Sequence, residues 1–173
     1  YMFRVANPDL LPERLWNHEL SYTQRLLNNK LHYGINLFYI NGENIISPQM
    51  VDGRRMNINT GKIENWGAEA DAAYRIHPEW NITANYSWLR MVHPIVAAPE
   101  HKLFIGADFT RGRWSASTGV QYVAGLYTSV DPVEKKESFV QWNARASYRL
   151  SPFAHVFVRG ENLLAQRYEI NDG

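Results

Sequence analysis

The sequence contains no cysteine, which excludes disulfide bonds, thiol nucleophiles and cysteine metal ligands. It also lacks an apolar run of the ~18–20 residues that a membrane-spanning helix requires. The net charge is only +1, so nothing in the charge balance indicates nucleic-acid binding. These absences leave two classes open, a soluble β-protein and a membrane β-barrel. They remain open together because the alternating strands of a barrel have an ordinary mean hydropathy.

One stretch in the middle of the chain alternates between two kinds of side chain. From Trp66 to Tyr74 every second residue is aromatic or alanine, whereas Glu69 and Asp71 lie between them. A turn at 77–79 follows, and the same alternation then resumes. A period of two residues is typical of a strand whose faces meet different surroundings.

The alternation recurs along the whole chain and predicts an all-β fold without internal helices. Short turns alternate with long connections at about 41–64, 91–101 and 125–138, as in outer-membrane barrels. We therefore predict an antiparallel meander of about eight tilted transmembrane strands. The predicted strands are 15–24, 31–40, 65–76, 80–90, 102–110, 114–124, 139–150 and 154–163.

The two predicted faces differ in character. The apolar face has small residues, mostly alanine, in its middle and aromatic rings at its ends, which suits lipid better than a packed core that needs volume. The expected lipid-facing girdle consists of Trp16, Tyr22, Tyr33, Tyr39, Trp66, Tyr74, Trp80, Trp88, Trp114, Tyr122, Trp142 and Tyr148. The charged residues expected on the opposite face, toward a wet lumen or a plug, are Glu69, Asp71, Asp108, Arg145, Arg149, Arg159 and Glu161.

Several short motifs appear in a fixed order. They are NPDLLPER at 7–14, LFY at 37–39, NTG at 59–61, NYSW at 85–88, PEH at 99–101 and ENLL at 161–164. Each is weak alone, but in this order the sequence resembles TonB-dependent outer-membrane receptors over nearly its whole length.

The resemblance implies both a fold and a function. In that family a 22-strand barrel in the bacterial outer membrane encloses an N-terminal plug, and the plug engages TonB in the periplasm. The receptor imports a scarce nutrient of the iron–siderophore, haem or cobalamin class. Residues 1–173 would then be the C-terminal portion of the barrel, without the plug and without the final strand. The implied partners are outer-membrane lipid, the receptor's own plug, TonB through that plug, and a small-molecule nutrient that includes metal chelates.

Candidate site residues are few. The sequence has no nucleophile elbow, HExxH or P-loop, so neither an enzyme nor a bound cofactor is predicted, and no metal site is assigned. Arg54 and Arg55 fall in a predicted outer loop where they could grip an anionic chelate, and the alternative is a solvated turn. His93 and His101 flank another long connection, where they are candidate ligands of metal or haem or simply solvated side chains.

Two other functions stay open at this stage. One is a small self-contained outer-membrane barrel that serves as an anchor or adhesin, since eight strands can close. The other is a soluble β-sandwich binding module, since sandwich strands also alternate. Pairing of the first and last strands would favour the small barrel.

Overall fold

The structure of the protein is a computed structural model that describes residues 4–93, 96–130, 133–135 and 138–167. Among these residues, no helix is long and apolar enough to cross a membrane. The strands are β1 (Arg4–Val5), β2 (Arg14–Leu26), β3 (Leu31–Val51), β4 (Arg54–His77), β5 (Trp80–Met91), β6 (Pro99–Arg111), β7 (Trp114–Val130), β8 (Val133–Lys135), β9 (Phe139–Ser151) and β10 (Ala154–Gly160).

Eight of these strands form a continuous antiparallel meander. Their order in the sheet is β10-β9-β7-β6-β5-β4-β3-β2. Among these eight, each strand therefore pairs with the one before it and the one after it in the sequence. The short β1 adds to β4 in parallel, and β8 adds to β7. The predicted all-β meander is therefore confirmed. Because β2 and β10 lie at opposite edges, the sheet is open, and the closed eight-strand barrel is not formed.

The ladder register keeps the two kinds of side chain on separate faces. Ala70 lies opposite Ile35 on β3 and opposite Tyr86 on β5. One residue further on, Asp71 lies opposite Gly34 and Asn85. Since successive residues of a strand point to opposite faces, an apolar surface and a polar surface each run across the whole meander.

The apolar surface is not covered by a second layer. Leu20 is 69% exposed and Val158 is 77% exposed. Among the described residues, the apolar side chains classed as buried are those of Met91, Val123, Leu126 and Tyr127. A sandwich would bury its apolar rows between two sheets about 10 Å apart. The soluble β-sandwich is therefore not the architecture of this chain.

The predicted long connection at 41–64 is wrong. β3 continues to Val51 and β4 begins at Arg54, so only Asp52 and Gly53 connect them. Both residues have positive φ, 48° and 74°, as the two-residue type I′ hairpin turn requires. The Asp52-Gly53 pair is the feature of the sequence that indicates this hairpin turn. Arg54 and Arg55 consequently lie on a strand and not in a loop.

The other long connections are also shorter than predicted. β6 begins at Pro99 and β7 continues to Val130, while the short β8 pairs with the end of β7. The last strand, in contrast, ends at Gly160 and not at residue 163. At β6 and β7 the backbone continues to pair beyond the residues that show apolar alternation.

The Phe104 ring on the polar surface explains why positions 106 and 119 are glycine. A Cβ added to Gly106 would lie 2.9 Å from the ring of Phe104, and one added to Gly119 would lie 2.7 Å from it. Gly106 and Gly119 are directly opposite each other on β6 and β7. The ring therefore lies over both backbones, where any larger residue would displace it.

Candidate functional site

The β3–β4 hairpin is the longest projection of the sheet. Its strands have 21 and 24 residues, whereas a barrel strand needs only about 9–11 to span the membrane. About ten residue pairs therefore extend past the membrane band, which corresponds to roughly 30 Å at 3.3 Å per residue. Arg54 and Arg55 are exposed at the tip of this hairpin, opposite Val51 and Met50.

Asn59 fastens the hairpin to the segment that precedes β2. Its amide nitrogen donates to the carbonyl oxygen of Leu11 at 2.9 Å and to that of Asn44 at 2.7 Å. Its side-chain oxygen accepts from the Leu11 backbone N–H at 2.8 Å. Asn44 has a φ of 57° at a break in the β3–β4 register, a conformation that asparagine tolerates. Asn59 thus joins three stretches of chain.

Residues of the first motif complete this attachment. The Asn7 amide donates to the carbonyl oxygen of Asn57 at 3.0 Å, and the Glu13 carboxylate accepts from the Ile46 backbone N–H at 2.7 Å. Sequence reasoning found both motifs, at 7–14 and 59–61, but could not show that they hold each other. The segment before β2 acts as a brace along the hairpin.

Buried apolar side chains lie at the same end of the sheet, at the end of β5 and beyond Tyr122 on β7, and we name this group the cap. The buried side chains of Met91, Val123, Leu126 and Tyr127 lie in it. The Tyr127 hydroxyl donates to the Glu100 carboxylate at 2.8 Å, and the Tyr127 carbonyl oxygen accepts from the backbone N–H of Ala97 at 2.8 Å. The cap holds the connection after β5 against the ends of β6 and β7.

The two candidate histidines do not converge on one site. His93 is exposed in the connection after β5. His101 lies on β6 opposite Trp88, and its Nδ1 is 2.8 Å from the hydroxyl of Tyr86, on the apolar surface. Among the described residues, no group of three or more His, Asp or Glu side chains is arranged to hold a metal ion.

The charged residues gather on the polar surface. Its β6, β7, β9 and β10 part forms an open cavity of about 320 Å³. Phe104 and Asn143 line it together with Asp108, Arg145, Arg159 and Glu161, two charges of each sign. Glu69 and Asp71 share this surface but lie further from the cavity, on β4. Arg149 lies opposite His155 near the β9–β10 turn.

The two arginines of this cavity have different stabilising neighbours. The Arg159 guanidinium forms an ion pair with Glu161. Arg145 lies over the Phe157 ring, with its guanidinium carbon 4.8 Å from the ring centroid. In the described part of the chain, no carboxylate pairs with Arg145. The Phe157 ring is therefore the described neighbour that stabilises its charge.

The predicted girdle aromatics lie on the apolar surface, and several of their rings approach each other across strands. Ring centroids are 6.2 Å apart for Tyr22 and Tyr33, and also for Trp66 and Trp88. They are 4.7 Å apart for Trp114 and Tyr148. Of the remaining girdle residues, Trp80 packs on Phe109, whereas Tyr39 stacks on His18. Such pairs add to strand pairing.

The sequence of residues 1–163 matches the family model described as TonB dependent receptor-like, beta-barrel. The chain belongs to the TonB-dependent receptor β-barrel family. It is thus part of a multi-strand β-barrel of the bacterial outer membrane, and the family is one of transport receptors.

Solved structures of this family share the fold. The ferric-catecholate import receptor Fiu from K12 E. coli is 18% identical with a TM-score of 0.73, over 95% of this chain and 25% of that protein. The siderophore receptor PirA from Pseudomonas aeruginosa is 20% identical with a TM-score of 0.72, over 95% and 29%. PiuA, a siderophore receptor from Acinetobacter baumannii, is 18% identical with a TM-score of 0.74, over 91% and 25%.

The lengths differ greatly. The chain spans about a quarter of the length of the solved receptors that it matches. No curated protein matches the sequence. At these identities the likeness establishes the fold of the barrel wall and leaves the ligand open.

Proposed function

We propose that this chain is the C-terminal portion of the barrel wall of a receptor that imports a scarce nutrient across the outer membrane. The nutrient belongs to the iron–siderophore, haem or cobalamin class, and TonB supplies the energy through the receptor's plug. The observation that carries the proposal is the family match over residues 1–163, together with an open meander that aligns with a quarter of each solved receptor.

In this proposal the two surfaces have separate tasks. The apolar surface with its aromatic girdle meets lipid, and the polar surface faces the lumen and the plug. Arg145 supports this division, because an arginine without a carboxylate partner among the described residues suits a wetted wall that receives another domain. The short turns then lie in the periplasm, and the braced hairpin projects from the cell.

The ligand-binding role falls to the outer end of the wall. Arg54 and Arg55 offer one guanidinium group on each face of the hairpin tip, and guanidinium matches the carboxylate and hydroxamate-type oxygens of an anionic chelate. The brace at Asn59 supports this role, since a held hairpin loses less entropy on binding than a free loop. His93 is exposed and lies two residues after Met91 of the cap, and it is the second candidate ligand contact. His101, hydrogen-bonded on the apolar surface, is proposed as part of the girdle.

The small self-contained barrel remains the alternative function, but no observation favours it. It requires β2 to pair with β10, and these strands occupy opposite edges of the sheet. An eight-strand closed wall would also have to fill its interior with side chains.

Uptake by the intact receptor tests the proposal. A strain without its own outer-membrane iron receptors is given the intact gene and a panel of radiolabelled ferric siderophores, haem and cobalamin. We expect uptake of one class, and we expect it to stop when TonB is deleted or the proton gradient is collapsed. Uptake that persists without TonB, or the absence of uptake across the panel, would contradict the proposal.

Variants of the hairpin tip then test the ligand contact. Arg54→Gln with Arg55→Gln should weaken binding of an anionic chelate by about ten- to a hundredfold, as loss of charge-assisted hydrogen bonds does. Arg25→Gln is the matched control, because Arg25 lies opposite His32 near the β2–β3 turn, at the other end of the sheet. Equal effects of the two changes would remove the hairpin tip from the site.

A further inference from the structure

The apolar surface contains a groove that the transport function does not use. It lies across β6, β7, β9 and β10 and has a volume of about 600 Å³, within the range of ligand sites in proteins. Trp80, Trp142 and Leu163 are the large side chains among its lining residues. We name this depression the wall groove.

Two adjacent rows of the sheet form the floor of the wall groove. Side chains decrease in size from the Trp80 side inward, so that the floor lies below the rings around it. One row pairs Phe109 with Ala116, Ala116 with Ala146, and Ala146 with Val158; the next pairs Ala107 with Thr118, Thr118 with Ala144, and Ala144 with Gly160.

Thr118 and Trp142, two polar side chains that line the wall groove, have hydrogen-bond partners within the chain. Ser117, Arg145 and Arg159 also line it, from strand positions whose side chains belong to the polar surface. The Trp142 indole N–H donates to the Thr118 hydroxyl at 2.8 Å. That hydroxyl in turn donates to the backbone oxygen of Asn143 at 3.2 Å. The groove therefore presents a surface suited to hydrocarbon, since it holds both hydrogen bonds internally.

The position of the wall groove argues for lipid as its occupant. It is continuous with the apolar surface of an outer-membrane barrel, which meets hydrocarbon. Ala116 lies four residues after Gly112, about 13 Å along the strand from a short turn. With the short turns in the periplasm, the groove faces the acyl chains of the periplasmic leaflet.

We propose that the wall groove binds one acyl chain of a phospholipid as a fixed site on the receptor. Most lipid at a barrel surface exchanges freely, but here a chain gains contact with the floor and with both tryptophan walls at once. This inference goes beyond nutrient import and takes from the proposed function only the orientation of the barrel and the contact of its apolar surface with lipid.

Photo-crosslinking of the unaltered receptor is the first test. The intact receptor is reconstituted with phosphatidylethanolamine that carries a diazirine in one acyl chain, irradiated, digested and mapped by mass spectrometry. We expect adducts concentrated in the peptides that contain Ala116 and Ala146. Adducts spread evenly over the apolar surface, including the peptide with Ala68 to Ala72, would overturn the proposal.

Variants that fill the groove are the second test. Ala146→Phe and Ala116→Phe should each reduce the phosphatidylethanolamine retained after detergent exchange by about tenfold, because a ring displaces several methylenes from apolar contact. Ala70→Phe is the matched control: it adds the same ring to the same surface, opposite Ile35 and Tyr86, and should leave retention unchanged. Heat-modifiable migration on gels confirms that each variant is folded.

Other outcomes are equally informative. Equal retention by filled and control variants would overturn the proposal. So would a disulfide-linked dimer through a cysteine introduced at 146, which would assign the groove to a second copy of the chain. These tests do not depend on nutrient uptake. The proposed lipid site can therefore be refuted while the proposed transport function stands.

Discussion

Arg145 and Arg159 occupy directly opposing positions on β9 and β10. Like charges across a strand pair destabilise it, and the cavity relieves this contact by pairing Arg159 with Glu161 and by stacking Arg145 on Phe157. The two cations therefore depend on different neighbours, and each neighbour can be removed separately.

Removal of the carboxylate should expose the repulsion between the two arginines. Glu161→Gln is expected to lower the free energy of unfolding by about 0.5–1 kcal/mol at low salt and by less at high salt, because the pair is solvent-exposed. Urea unfolding of the intact receptor in lipid vesicles measures it. Combining Glu161→Gln with Arg145→Gln should recover most of the loss; a double variant weaker than the single one would contradict this account.

Opposite faces of β4 should respond differently to the same charge. Ala70→Arg in the intact receptor should cost about 2–4 kcal/mol, the range for arginine at the midplane of a barrel's lipid face. Asp71→Arg should cost about 1 kcal/mol or less, because a wetted surface screens the charge. Urea unfolding in lipid vesicles compares the two variants.

Spin labels check the same faces without a charge. Labels at introduced cysteines 68, 70, 72, 82 and 84 should report oxygen and exclude a water-soluble nickel chelate, and labels at 69, 71, 83 and 85 should report the reverse. The absence of natural cysteine in the chain leaves no competing site within it. An apolar row reached by the chelate would refute the lipid assignment.

A single substitution should weaken the attachment of the β3–β4 hairpin to the segment before β2. Asn59→Ala removes three hydrogen bonds, to Leu11 and Asn44, and should lower the free energy of local opening by about 1–3 kcal/mol. Faster hydrogen exchange of backbone amides between residues 45 and 58, with unchanged exchange in β5, is the expected signature. Asn57→Ala is the control, because Asn57 gives only its carbonyl oxygen to the brace. Equal exchange in both variants would mean that the hairpin is held by its own ladder alone.

The polar surface should not accept a methyl group under the Phe104 ring. Gly119→Ala places a Cβ about 2.7 Å from that ring, so the ring must move, at a cost of roughly 1–3 kcal/mol for overpacking. Gly61→Ala is the control, since nothing lies within 4 Å of its added Cβ. Thermal unfolding of the two variants in one detergent makes the comparison. A Gly119→Ala protein as stable as the Gly61→Ala protein would show that Phe104 is free to swing away.

The parts of the fold that the sequence predicts are those where one face meets an apolar medium. There the contrast between Ala70 and Asp71 marks the strand and its direction. The half of the β3–β4 hairpin nearest its turn shows no such contrast, and only the Asp52-Gly53 turn indicates it. The opposition of Arg145 and Arg159 depends on the register across the β9–β10 turn, which shifts between Ala154 and His155. Residue spacing alone does not contain that shift.

The location of the buried cap bears on how this wall comes to be formed. In the described chain, the buried apolar side chains lie at the end of β5 and beyond Tyr122 on β7, whereas the apolar rows of the strands are exposed and, in the proposed function, have hydrocarbon as their packing partner. Before insertion, while the polypeptide is still in the aqueous periplasm, the hydrophobic effect can drive burial of the cap side chains. The alanine and tryptophan rows of the strands have no apolar partner there. Assembly of the wall is therefore tied to its delivery into the bilayer, and a membrane of altered thickness disturbs the strands before it disturbs the cap.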